Sequence, residues 1–242
     1  MSRLRFAARL LALAIALILA LPLHGLWRMT RRPSPWPRRF LAVCARIVGA
    51  RARVIGQPLS RDAVILANHL SWIDILLLAG SANAVFIGKG ELRSVPLVGW
   101  LAALNDTIFV ARGERLAVAE QVAQIRSAIG PRPVVLFPEG TTGDGVSLLP
   151  FKPTLLAALD TAPPGLQVQP VRIDYGEATR ELAWTGGEAG AHHAARVLKR
   201  RGTFVATLRF IEPFAPAGGR KTVAAHARAR IEAAGEAAAA PV

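Results

Sequence analysis

Short apolar runs of strand length alternate along this chain with segments whose apolar residues recur every three or four positions. Val64-Ile65-Leu66-Ala67, Val134-Val135-Leu136-Phe137 and the stretches 84–88, 107–111, 168–173 and 203–211 have the length, β-branched content and flanking turn residues of strands. Between them, residues 71–79, 95–104 (broken near its start by Pro96), 117–129, 154–159 and 189–200 read as helices. In 117–129 the stripe is Val118, Val122, Ile125 and Ile129, the spacing that puts apolar side chains on one helix face. Strand–helix alternation of this kind predicts an α/β domain, a mostly parallel central sheet flanked by helices. Loops at the carboxyl ends of such strands are where function gathers.

Both ends of the chain depart from the alternation. Leu10 to Leu23 is continuously apolar, with Arg3, Arg5 and Arg9 before it and Arg28, Arg31 and Arg32 after it. A cleaved signal peptide, a single span and a shallow monotopic anchor all start from such a segment. No clean small-x-small cleavage site follows it. Basic residues on both flanks give no orientation and suit a helix lying in an anionic leaflet. Pro33, Pro35 and Pro37 then break regular structure, and 40–50 resumes an apolar helical pattern. The expected organisation is a two-helix membrane-anchoring segment over 1–55, an α/β domain over 56–218, and an Ala/Arg-rich helical tail over 219–242.

Composition sharpens the list of partners. The 242 residues carry a formal net charge of +14, and because only four of the 30 basic residues are lysines (Lys89, Lys152, Lys199, Lys221), arginine supplies the excess. Guanidinium forks suit phosphate, on nucleic acid or on lipid headgroups. No nucleic-acid motif accompanies the charge, so a basic module for nucleic acid or anionic membrane is the weaker alternative. Cys44 is the only cysteine, which excludes an internal disulfide framework and a thiolate metal cluster.

Candidate chemistry sits just beyond two of the strands. Asn68-His69-Leu70-Ser71-Trp72-Ile73-Asp74 follows the run ending at Ala67, and Phe137-Pro138-Glu139-Gly140-Thr141-Thr142-Gly143-Asp144-Gly145 follows the run ending at Leu136. On one ideal helix His69 and Asp74 point about 140° apart. They meet only if His69 stays on the loop and Asp74 enters the first helical turn. A carboxylate there fixes the imidazole tautomer and stabilises its charged form, so the ring can take a proton from an alcohol. Ser71-x-x-Asp74 is equally a capping box. No Gly-x-Ser-x-Gly elbow is present, which disfavours a covalent serine route and favours direct attack by a substrate hydroxyl. In the second loop, glycines expose backbone N–H groups and Thr141 and Thr142 add hydroxyls, a polar cradle. Arg112, after Ile108-Phe109-Val110-Ala111, is the nearest candidate cation, and Glu139 is placed either to brace such an arginine or to contact a substrate hydroxyl.

Together these stretches resemble the glycerolipid acyltransferases, a family typified by lysophosphatidate acyltransferase. Asn68-His69-x-x-x-x-Asp74 is similar to the first family block, Ile108 to Arg112 to the second, Phe137-Pro138-Glu139-Gly140-Thr141 to the third and Val168-Gln169-Pro170-Val171 to the fourth. Lys89-x-Glu91-Leu92, with Pro96 and Gly99, resembles the segment between the first two. The resemblance implies transfer of a fatty acyl group from acyl-CoA or acyl carrier protein to the free hydroxyl of a lysolipid, with no metal and no bound cofactor. It implies His69 as general base, Asp74 as its orienting partner, and Arg112, Glu139, Gly140, Thr141 and Thr142 as the headgroup site, with Pro170 shaping the fourth block near the acyl donor. The first acceptor implied is 1-acyl-sn-glycerol-3-phosphate, giving phosphatidic acid. One departure favours an alternative: Thr142 stands where the third block usually has arginine, and related sequences with such a loop act on lyso-ornithine lipid, whose amine Asp144 is placed to pair. The implied location is the bacterial inner membrane, with the catalytic domain on the cytoplasmic side.

Overall fold

The structure, a computed structural model, describes residues 1–110 and 115–239, with the backbone alone at Lys89, 115–121 and 238–239. In chain order the elements are α1 (Ser2–Arg28), α2 (Trp36–Ile47), β1 (Ala50–Ile55), β2 (Ala63–Ala67), α3 (Ile73–Ala82), β3 (Val85–Lys89), α4 (Val98–Leu104), β4 (Ile108–Val110), α5 (Arg115–Ala128), β5 (Val134–Leu136), β6 (Gln167–Asp174), α6 (Thr179–Leu182), α7 (Gly190–Lys199), β7 (Phe204–Phe210) and α8 (Gly219–Ala239). Tight 3₁₀ turns cover Gly90–Ser94 and Pro153–Leu159.

The described strands form one sheet in the order β1-β7-β6-β2-β5-β3-β4. Every neighbouring pair is parallel except β6 with β7. Helices cover both faces, so the central strands read as continuous apolar runs. Ile65 and Ala67 of β2 point, with Val135, Val171 and Ile173, into a core closed by α2, α3 and α7. Val64 and Leu66 point the other way, toward Leu136, Val168 and the inner side of α8. This period-2 division puts one strand into two cores at once.

The order of strands also sets the position of the chemistry. Because β2 is paired in parallel with β6 on one side and β5 on the other, the exits of these three strands lie side by side. The loops starting at Asn68, Phe137 and Tyr175 therefore share one edge of the sheet.

The ends of the chain refine the sequence expectation. Residues 50–55, assigned above to the anchoring segment, are strand β1, paired along its whole length with β7. Its alternating Ala-Arg-Ala-Arg pattern belongs to an edge strand exposed over residues 51–54, which needs no apolar run. Of the two expected anchoring helices, only α1 is long and apolar enough to cross a membrane, with a mean hydropathy of 2.4 over its best window. The 12-residue α2 is amphipathic and buries Cys44 and Ala45 against the domain. At the other end, the expected helical tail is helix α8, which packs on the domain with Val223, Ala224, Ala227 and Ile231 buried.

Candidate active site

Asn68 continues the β2–β6 ladder with its side chain. Its Nδ2 donates to the Ile173 carbonyl at 3.0 Å, and its Oδ1 accepts from the Ile173 N–H at 2.7 Å. The strand pair is thus clamped one residue before the loop that carries His69. From there the chain doubles back: the Asp74 N–H donates to the Ser71 carbonyl at 3.0 Å, and Asp74 falls in the first turn of α3.

That reversal brings His69 Nδ1 to 2.8 Å from Asp74 Oδ2. The same oxygen accepts the N–H groups of Leu70 (2.7 Å) and Ser71 (3.0 Å). Asp74 therefore ties down the loop backbone and orients the imidazole at once; it accepts the Ser71 N–H as a capping box would, but Ser71 Oγ accepts from the Ile73 N–H at 3.3 Å and the reciprocal half of the box is not formed. The Asp74 side chain is fully buried, whereas 17% of the His69 side chain remains exposed. The ring lies flat on Phe137, with centroids 3.9 Å apart and planes 15° from parallel. With Asp74 Oδ2 as the acceptor, Nδ1 carries the proton and Nε2 keeps its lone pair.

The second loop packs beneath the first. Gly143 donates its N–H to the His69 carbonyl at 2.7 Å. Glu139, 3% exposed, lies near the His69 N–H, whose dipole favours the charged carboxylate. Its carboxyl is pushed up to about 8, chiefly by burial and further by the Asp74 charge, against the pull of the His69 N–H, Arg172 and Arg228. Expected in the headgroup site, Glu139 is turned inward to the histidine's backbone. Thr142 is also turned away, its hydroxyl donating to the Trp184 carbonyl. Thr141 is exposed. Gly140 has φ +70°, and a Cβ built there would lie 3.1 Å from Lys152 Nζ, so the ammonium of an exposed lysine hangs over the loop. Gly145 has φ +78°, and a Cβ there would strike Thr179 at 2.3 Å; both the turn and the packing demand glycine.

Two expected members lie elsewhere. Pro170 is buried inside β6 opposite Leu66, three residues short of His69 along the paired strand. Arg112 falls outside the described residues. Asp144 makes a turn, its Oδ1 accepting from the Val146 (2.9 Å) and Ser147 (3.3 Å) N–H groups.

Several side chains at this edge carry no local sequence signal. Tyr175, the only tyrosine of the chain, donates its hydroxyl to Asp74 Oδ1. Trp72 donates to His193 Nδ1 at 2.9 Å while His193 Nε2 donates to the Leu182 carbonyl at 3.0 Å. Burial first of all holds the His193 pKa below its ordinary value, and this neutral ring ties α7 to the His69 loop. Among the described residues no group of three or more His, Cys, Asp or Glu side chains is arranged to hold a metal ion.

The acyltransferase family matches residues 51–174, the stretch from β1 to the end of β6. A lyso-ornithine lipid O-acyltransferase of Rhodobacter capsulatus is 35% identical over 209 residues, covering 80% of this chain and 76% of that protein. A 1-acyl-sn-glycerol-3-phosphate acyltransferase of Neisseria gonorrhoeae is 32% identical over 157 residues, 58% of either chain. The crystal structure of the 1-acyl-sn-glycerophosphate acyltransferase PlsC from Thermotoga maritima superposes with a TM-score of 0.69 at 22% identity, covering all of both chains, which establishes a shared fold.

Proposed function

The chain belongs to the acyltransferase family and acylates lysolipids, and from that premise we propose that its acceptor is a lyso-ornithine lipid, its donor a fatty acyl thioester and His69 its general base. The observation that carries the chemistry is the His69–Asp74 contact of 2.8 Å at a strand exit, with the carboxylate buried and the ring partly open. With Nδ1–H held by Asp74, Nε2 is the nitrogen left to take the proton of the lysolipid hydroxyl. The oxygen attacks the thioester carbonyl, whose electrons move to oxygen. The carbonyl then re-forms as the carbon–sulfur bond breaks, and the departing thiolate takes the proton back from Nε2. Ester and free thiol are the products, and the ring ends as it began. Acyl-CoA and acyl carrier protein both present such a thioester.

Lyso-ornithine lipid is favoured as acceptor by the loop after β5. The segment 137–145 lacks an arginine, Thr142 faces Trp184, and Lys152 over Gly140 supplies a cation suited to a carboxylate. The Rhodobacter relative also matches across more of its length than the Neisseria relative does. Lysophosphatidate is the second acceptor, supported by the Neisseria relative at 32% identity.

We place α1 flat against one leaflet. Arg5 donates to the Lys199 carbonyl at 2.6 Å and Arg9 to the Val197 carbonyl at 2.9 Å. Phe6 and Leu13 pack on the core, while Leu17, Leu21 and His24 face α2 and α4. A helix about 40 Å long, held along its length by the domain, exposes Leu11, Ile15, Ile18 and Leu26 outward. Lying in the interface, it brings the site to its lipid acceptor and keeps water from the thioester. In a bacterial cell the cytoplasmic face of the inner membrane is where acyl thioesters are available.

Offering the purified protein a labelled acyl thioester with lyso-ornithine lipid or lysophosphatidate, and separating the products, tests the acceptor. Faster labelling of the ornithine lipid is expected. Faster formation of phosphatidic acid reverses the order, and labelled product from neither removes the assignment.

A further inference from the structure

We infer that Tyr175 is a positioning residue of acyl transfer, the third member of a buried His69–Asp74–Tyr175 chain that sets how strongly the carboxylate holds the imidazole. The inference rests on the base role proposed for His69.

The two oxygens of Asp74 divide their partners. Oδ2 takes His69 Nδ1 and the N–H groups of Leu70 and Ser71, whereas Oδ1 takes the Tyr175 hydroxyl. A carboxylate with no solvent exposure keeps its charge only if such donors replace water. The phenol does more than satisfy Oδ1. By bonding the oxygen opposite the histidine, it fixes the rotation of the carboxylate and so the direction in which Oδ2 faces Nδ1. It also draws part of the negative charge away from Oδ2, and cooperative hydrogen-bond chains of this kind transmit such changes along their length.

Tyr175 is itself held firmly. It follows directly on β6, whose exit is clamped to the His69 loop through the two Asn68–Ile173 hydrogen bonds. Its ring meets the edge of Phe204 at 5.3 Å between centroids, and only 2% of the residue is exposed. Burial, and after it the Asp74 charge, raises the phenol pKa well above its ordinary value. The hydroxyl is thus a donor across the working pH range and never leaves its proton on the carboxylate. Its contribution is orientation and charge sharing.

A carboxylate relieved of the phenol concentrates its charge toward the imidazole and stabilises the imidazolium more, which moves the base to a higher pKa. A stronger phenol donor does the reverse. The acidic limb of the kcat/KM profile reports the free enzyme's base, so the two changes move that limb in opposite directions. Because the chain has one tyrosine, growth on a fluorinated tyrosine alters Tyr175 alone and leaves its size almost unchanged.

The experiment measures pH profiles of labelled acyl transfer for the parent, Tyr175→Phe and the 3-fluorotyrosine and 3,5-difluorotyrosine proteins. For Tyr175→Phe, kcat falls about tenfold, the effect of one lost buried hydrogen bond, while KM for both substrates stays within about twofold because no substrate contact is lost. Its acidic limb moves up by about half a unit or more. The fluorinated proteins move the limb down in the order of their phenol acidity. Should Tyr175→Phe fail to fold, the fluorinated series decides alone. Profiles that superimpose across the series overturn the inference, while a dead His69→Ala in the same assay keeps the base role intact. Full transfer by His69→Ala removes the base role instead.

Discussion

A buried carboxyl at Glu139 changes the stability of the whole chain with pH. In the folded protein it titrates at about 8, and in the unfolded chain at 4.5. Between those values the folded state holds one proton more than the unfolded state, so its contribution is fully present below 4.5 and lost as pH rises through 8. Replacing the group by its neutral isostere removes that slope. Thermal melts of the parent and of Glu139→Gln between pH 5 and pH 8 should diverge, the parent midpoint falling relative to the variant as pH rises. Parallel curves would show that the carboxylate is ionised in the fold. His193, whose pKa burial lowers, adds an opposite slope toward acid that both proteins share and that cancels in the comparison. At this scale the sequence shows chemistry but not orientation. The spacing of His69 and Asp74 allows one geometry in which they meet, and the chain adopts it. Whether Glu139 and Thr142 face substrate or backbone depends on Trp184 and on the His69 main chain, which are remote or unmarked in the local pattern.

Elements were legible in proportion to their burial. The runs at β2, β5 and β6 are apolar because both sheet faces are covered, and they stand out as strands. At the edge, β1 is solvated and alternates alanine with arginine, so nothing apolar announces it. Pro153 and the tight segment after it form a 3₁₀ turn where helical spacing alone suggested a regular helix. The spacing within α1 shows an apolar helix but not which side the domain covers, because that depends on carbonyls of the α7 terminus meeting Arg5 and Arg9. Its outward face carries a direct expectation. Leu11 and Ile18, 63% and 67% exposed, lie two turns apart on one side. Changing both to glutamate should move the protein from the membrane pellet to the supernatant with its far-ultraviolet circular dichroism unchanged, since a charge in the apolar face opposes burial in lipid. Retention in the pellet would mean that another surface holds the membrane.

For the whole molecule, one topological fact makes the site. Setting β2 between β5 and β6 gathers three loops that lie far apart in the chain, Tyr175 and Asp74 being separated by 101 residues. Sequence order gives the αβ alternation from which a mostly parallel sheet follows, but not which strands are neighbours. Tyr175 was therefore invisible as a partner of Asp74 until the strands were placed, although it is the chain's sole tyrosine. The same placement leaves the imidazole as the one partly open end of an otherwise buried hydrogen-bonded chain, beside a helix that faces lipid. The central claim is that this ring takes the proton of the lysolipid hydroxyl. Its most direct test is the rate of labelled acyl transfer by membrane-bound His69→Ala against the parent, at equal amounts of folded protein. Loss of a positioned general base lowers that rate by about a hundredfold or more, with membrane binding unchanged. A variant that transfers at the parental rate would contradict the account.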